Sequence, residues 1–269
     1  MEVLKIYTED DLFTQLKEMK IDPQGTIMVH SSMKSIGEVE NGADTVLDAF
    51  SKFMKEGLLV FPTHTWDYIN TENPKFYVAD SPSHVGILTE LFRKRAKVIR
   101  SHHPTHSVAA LGKDAYEFTK GDEKFDTPAA RQSPYGKLLD QKAKIVLVGV
   151  DLKQNTFIHG IEEWLDIPDR MGDTHQELVT VFSDDSEVSS PQKRHIPGIS
   201  LHYWKVEKLL AEKGAIDYAQ LGDAEVLLCD TVLLNKYITE MLQIDPALFS
   251  DDEPLSDEFI QKFREVVLD

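Results

Sequence analysis

The stretch "NTFIHGIEEWLD", residues 155–166, sets one histidine and three carboxylates at helical spacing. Phe157, Ile161, Trp164 and Leu165 fall on one side of a helix, and His159, Glu162, Glu163 and Asp166 on the other. His159 and Glu162 stand at i and i+3, so the carboxylate can fix the imidazole tautomer and raise its basicity. That combination makes a general base. Asn155 or Thr156 can cap the helix, which puts His159 in the first turn, where the helix dipole favours a neutral ring near pH 7. The same spacing also describes a solvated helix with a surface histidine, and the residues alone leave both readings open.

Two further stretches carry chemistry-bearing side chains. "HSSMKSIG" (30–37) follows an apolar run that reads as a strand. Small hydroxyls and backbone N–H groups at a strand end can cradle phosphate oxygens. The stretch is neither a Walker loop nor a dinucleotide fingerprint, because the required glycines are missing. "RSHHPTHS" (100–107) holds three histidines, which admits a metal reading. Against it, Pro104 keeps the segment extended, and no acid or cysteine lies near in sequence.

These segments need a scaffold. The chain has 269 residues, 41% hydrophobic and 28% charged, which is ordinary for a globular protein and enough for a large core. Residues 9–19 read as a helix, 25–30 as a buried strand, 31–41 as a loop, 43–54 as a strongly periodic helix and 57–62 as a strand. That order predicts a crossover and a partly parallel sheet. Residues 63–85 read as an irregular, aromatic-bearing loop. Helices follow at 86–96 and 133–141, with a strand after Pro104 and the clearest strand at 144–150. "ELVTVF" (177–182) and "QKRHI" (192–196) predict an antiparallel hairpin. A helix ending at Gly214, a strand at 224–230, a helix capped by Asp230 and a short helix in the acidic tail complete the pattern. The absence of a composition break or an internal repeat predicts a single α/β domain over 1–269, with a mixed sheet between helical layers.

The net charge of −17 and the absence of a long Lys/Arg cluster argue against a nucleic-acid partner and are compatible with a cationic substrate. No run reaches the length of a membrane span, and the first residues lack a signal-peptide pattern. With one cysteine, Cys229, a reducing cytoplasm is the expected setting.

Taken in order, "VHSSMKSIG" (29–37), "RSHHPTHSVAALG" (100–112), "SPYGKLL" (133–139), "LVGVDLKQNTFIHGIEE" (147–163) and "AQLGDAEVLL" (219–228) resemble the aminoglycoside 3-N-acetyltransferase family. The resemblance implies a three-layer α/β/α architecture distinct from the GNAT fold, and acetyl-coenzyme A as cosubstrate with no metal. It implies catalytic roles for His159 and Glu162. It implies coenzyme contacts from the 30–35 and 103–112 segments, with His30, Ser31, Ser32, Ser35, His103, Thr105 and Ser107 as the candidates.

Residues 63–85 and 168–200 are expected to wall the acceptor. Asp67, Glu163 and Asp166 are the acids expected to meet a cationic amine, as in an aminoglycoside. Backbone amides near Ser31, Ser32 or Ser107 are the expected oxyanion donors. Cys229 lies in an apolar strand, so transfer is expected to be direct rather than through an acetyl-enzyme. An acetyltransferase for another amino sugar or natural-product amine, a metal-dependent hydrolase and a non-catalytic binding protein are the competing readings. Either a monomer or a homodimer fits.

Overall fold

The computed structural model describes residues 5–267. Its centre is a seven-stranded mixed sheet. The strands are β2 (Thr26–Ser31), β4 (Leu58–Pro62), β6 (Ile99–Arg100), β7 (Val108–Gly112), β8 (Lys144–Val148), β11 (Ile216–Leu221) and β12 (Ala224–Asp230). Across the sheet they lie in the order β11-β12-β8-β2-β4-β7-β6. β2 runs parallel to both β4 and β8, while β7, β12 and their outer neighbours pair antiparallel. The ends of β2, β4 and β8 therefore open at one edge of the sheet, where Pro62 also faces Val108 at the start of β7.

The strands read as nearly continuous apolar runs because both faces are buried. Ile27, Val29, Leu59, Phe61, Val146 and Val148 enter one core. Met28, Leu58, Val60, Ile145, Leu147 and Cys229 enter the other. Helices α1 (Glu9–Glu18), α2 (Ala43–Phe53) and α3 (Ile87–Phe92) contribute to the first core. Helices α4 (Ala115–Thr119), α5 (Pro134–Asp140), α6 (Thr156–Trp164), α7 (Glu207–Glu212), α8 (Thr231–Ile244) and α9 (Asp257–Val266) contribute to the second. This is the expected three-layer arrangement. Among the described residues no helix is long and apolar enough to cross a membrane.

Two small sheets lie beside the main one. β1 (Ile6–Tyr7) pairs with β3 (Glu38–Val39), and β5 (Lys75–Tyr77) pairs with β9 (Val179–Val181), which pairs with β10 (Glu187–Ser189). The expected hairpin is therefore corrected. The return strand is 187–189, closer to the turn, and the 192–196 segment instead makes isolated bridges outside the sheet, Gln176 to Gln192 and Met171 to His195. The helix expected over 86–96 stops at Phe92. The helix expected to end at Gly214 is α-helical over Glu207–Glu212 and is preceded by a 3-10 segment, Ile199–Val206.

One turn sets the site's floor. Gly149 follows β8 with φ 61°, and its N–H bonds the Glu225 carbonyl at 2.8 Å. A Cβ there would overlap the Cβ of Ser35. Gly149→Ala should therefore cost more than about 1 kcal/mol, combining a left-handed backbone with a clash. Urea unfolding of the variant beside the parent checks this, and equal midpoints would contradict it.

Candidate active site

Asp151 caps a 3-10 turn over Leu152–Gln154 through its side chain, and the chain then enters α6 at Thr156. Phe157, Ile158 and Ile161 bury the apolar side of α6 in the second core. The polar side is not a solvated face: Glu162 is only 1% exposed. Its Oε1 accepts from Arg170 Nε at 2.7 Å, and its Oε2 accepts from the Tyr203 hydroxyl at 2.5 Å. The Tyr203 oxygen lies 2.8 Å from His159 Nδ1. Because that hydroxyl gives its one proton to Glu162, its oxygen accepts from His159 Nδ1–H. The lone pair of His159 is then on Nε2.

Electrostatics favour the neutral form of the ring. Burial holds His159 below the ordinary imidazole range, with the neighbouring His195 adding to the effect and Glu162 opposing it. The direction matches the sequence expectation, and burial is its largest cause. Burial pushes the Glu162 carboxyl up, but His159, Tyr203 and Arg170 outweigh it and hold it below the usual carboxylate range.

His159 borders a cavity of about 750 Å³ at the sheet edge where β2, β4 and β8 end. His30 and Ser31 come from the end of β2, Asp67 from the loop after β4, and Thr105 and His106 from the loop before β7. The 193–201 segment closes the far wall, with Ile196 and Leu201 exposed. Among the described residues, Lys153, Lys193 and Arg194 are the cationic side chains of the wall, and Asp67 is its one carboxylate.

A family model described as aminoglycoside 3-N-acetyltransferase matches residues 28–243. The chain belongs to the aminoglycoside 3-N-acetyltransferase family. It is similar to YokD, an SPbeta prophage-derived aminoglycoside N(3')-acetyltransferase-like protein of Bacillus subtilis, at 29% identity over 56% of this chain and 63% of that one. It is similar to aminoglycoside N(3)-acetyltransferase VII of Streptomyces paromomycinus, at 26% identity over 65% of this chain and 66% of that one. The matches span just under two thirds of these relatives' lengths. In fold it is similar to AAC-IIIb, solved as a binary complex with CoASH, with TM-score 0.78 and 20% identity over 89% of this chain and 97% of that one.

For this family member, the residues singled out from sequence separate into three groups. His159, His30, Ser31, Thr105 and Asp67 border the cavity, with Glu162 directly behind His159. Ser32, Ser35, His103 and Ser107 brace the loops instead. Ser35 Oγ bonds Ser32 Oγ at 2.9 Å and the Gly149 carbonyl at 3.2 Å. His103 Nδ1 accepts the N–H groups of Thr105 and His106, which shapes the 103–107 turn. Ser107 Oγ is spent on the Thr63 carbonyl. The Ser32 amide, one expected oxyanion donor, is already bonded to the Val148 carbonyl.

The third group departs from expectation. Glu163 is turned inward, with its Oε1 on His195 and on the Ala129 N–H. Asp166 is exposed beyond α6 and does not border the cavity. The acidic stripe read from α6 is therefore not a wall of the cavity. Tyr203, Arg170 and His195 went unnoticed in the sequence. They lie 41, 8 and 32 residues from the carboxylates they meet, and no local spacing marks them.

The neutral imidazoles have a consequence for stability. Burial pushes His30 and His103 down to about 4 from the usual 6.5, and holds His64 and His106 well below it. The unfolded chain binds these protons first as pH falls, so stability should be full above 6.5 and be lost progressively towards pH 4. Asp122, pushed up to about 7 by burial, works in the opposite sense over much of that range, but with one proton against several. Urea midpoints between pH 7.5 and 4.5 should fall steadily, and a flat profile would contradict the buried neutral rings.

Proposed function

We propose that the protein is an N-acetyltransferase that moves the acetyl group of acetyl-coenzyme A directly to an amine, with His159 Nε2 as general base. The observation that carries this reading is the placement of the His159 ring. It is held at Nδ1 by Tyr203, backed by Glu162, and borders a cavity of about 750 Å³. A protonated amine has no lone pair. Nε2 takes the amine proton, the nitrogen attacks the thioester carbonyl, and the C–S bond breaks as the tetrahedral adduct collapses. General-base assistance of this kind is worth roughly 10²–10⁴-fold.

No side-chain nucleophile is invoked. Cys229 is buried in β12, and burial pushes its thiol up, away from the reactive thiolate. For coenzyme binding we favour His30, Ser31 and Thr105 as contacts, with Lys153 available to the phosphates, and Ser32, Ser35, His103 and Ser107 as the frame that shapes those loops. Against the metal-hydrolase reading, His103 is spent on backbone groups, and both Glu162 oxygens are engaged by Arg170 and Tyr203.

Family membership supports an aminoglycoside acceptor, and the similar fold of AAC(3)-IVa has been solved in complex with a gentamicin and with apramycin. One observation favours a second reading, in which the acceptor is an amino sugar or natural-product amine of lower charge. The wall holds Lys153, Lys193 and Arg194 against Asp67 alone among the described residues. In either reading the 63–85 and 168–200 segments supply the acceptor walls, with Asp67 as the contact for its ammonium groups.

A panel of aminoglycosides and simple amino sugars with acetyl-coenzyme A, read by thiol release, separates the two. Amine-dependent thiol release is expected, and its absence with every amine would overturn the acetyltransferase reading. With the best acceptor, His159→Ala should lower kcat at least about 100-fold while leaving coenzyme affinity nearly unchanged, as expected for a lost base. Glu162→Gln should lower both activity and Tm, because Arg170 would be left buried without its counter-charge.

A further inference from the structure

The ring of His195 lies 4.1 Å from that of His159, centroid to centroid, with 19° between their planes. Its Nε2 is 2.6 Å from Glu163 Oε1. The same oxygen accepts the Ala129 N–H at 2.9 Å, which fixes the carboxylate against the loop before α5. Both side chains are largely buried, and His195 borders the cavity. Glu162 and Glu163, adjacent in sequence, thus each hold one ring of a stacked pair.

The two carboxylates differ in what balances them. Glu162 faces the Arg170 guanidinium, so its charge is offset before any proton arrives. Among the described residues, Glu163 has His195 as its sole ion-pair partner, and its Oε2 is buried with no hydrogen-bond donor. Of the two carboxylates beside His159, Glu163 is therefore the one with no guanidinium against it. Two imidazolium rings at this separation repel strongly even with protein screening, so the stack accommodates one added proton at a time.

We propose that His195 and Glu163 form a second histidine–carboxylate pair of this active site, one that offsets the charge of the proton His159 takes from the acceptor amine. The proposal rests on the acetyltransferase reading. In the step, the amine lone pair forms the C–N bond and its N–H proton passes to His159 Nε2. The C–S electron pair leaves on sulfur, and the thiolate recovers the proton from His159. His195 is a positioning residue in this scheme. The titratable and charged groups facing the stack include Glu162 and Glu163 on α6, Tyr203 from the 3-10 segment, Arg170 behind Glu162, and His64, His103 and His106 from the loops after β4 and before β7. His195 pushes His159 towards neutrality, and Glu163 pulls the other way.

These opposed influences give a test that a merely structural role would not pass. Carbon-labelled histidine NMR follows the His159 ring titration, assigned by its loss in His159→Ala, in the parent, Glu163→Gln and His195→Asn. Rates against pH with acetyl-coenzyme A and the best amine run in parallel. Glu163→Gln should move both the titration and the acid limb of kcat/KM to lower pH. His195→Asn should move both to higher pH. Each variant should lose about tenfold or more in kcat, the scale of a lost supporting group, with the KM for acetyl-coenzyme A nearly unchanged. Shifts in the same direction, or none, overturn the proposal. If no amine turns over, the ring titration alone still decides it. If His195→Asn does not fold, an unmoved titration in Glu163→Gln overturns it.

Discussion

The Glu162 carboxylate is the group around which the site is assembled. Taking a charge out of water is costly, and the cost is met only where donors converge on it. Here Arg170 and the Tyr203 hydroxyl converge on its two oxygens. Arg170 also donates to the Pro246 carbonyl at 2.9 Å, just beyond α8. Tyr203 reaches in from the 3-10 segment and packs edge-on against Phe249 at 4.8 Å. One buried carboxylate thereby ties α6, the turn after it, the 199–206 segment and the chain after α8 into a single arrangement. The tautomer of His159 follows from it, since the Tyr203 hydroxyl can donate only once.

Around this anchor several imidazoles line the cavity. His64 lies 4.6 Å from His106, ring to ring, and His195 stacks on His159. Charging His64, His106 or His159 would place a cation beside its neighbours in a poorly solvated space. Burial and mutual repulsion act together to favour the neutral form of these three. Such rings offer proton acceptors without fixed charge, as the proposed base would require.

The fold was largely legible because its strands and main helices repeat with clear periods. β8 and β12 read as apolar runs, and α2 as a stripe from Ala43 to Phe53. β11 is illegible because it is buried only at its ends, Ile216 and Leu221, and Asp217 and Gln220, on opposite faces, interrupt the apolar pattern. His159 and Glu162 were legible as a pair because they are one helical turn apart. Their partners were not, because Tyr203, Arg170 and His195 arrive through the tertiary fold. The meaning of Glu163 was misjudged for the same reason. From sequence it reads as one more acid on a solvated face, and only the approach of His195 and Ala129 turns it inward.

The net charge of −17 describes the whole chain, and the cavity does not inherit it. Many of the acids lie on the outer surface, where Glu9, Asp10, Asp44 and Asp48 are spent on Lys52 and Arg95. Such a surface acts on a ligand over roughly a Debye length, about 8 Å at physiological salt. Inside the cavity the nearer groups decide. Arg194 is held by the Trp66 and Ile69 carbonyls and the Gln176 side chain, all neutral acceptors, so no carboxylate among the described residues cancels its charge. An acceptor with several ammonium groups would have to direct one to Asp67 and keep the others clear of Lys193 and Arg194. An acceptor that brings a single amine meets no such conflict. Under the second reading proposed above, the walls would discriminate by the number of positive charges on the acceptor rather than by attraction to any one of them.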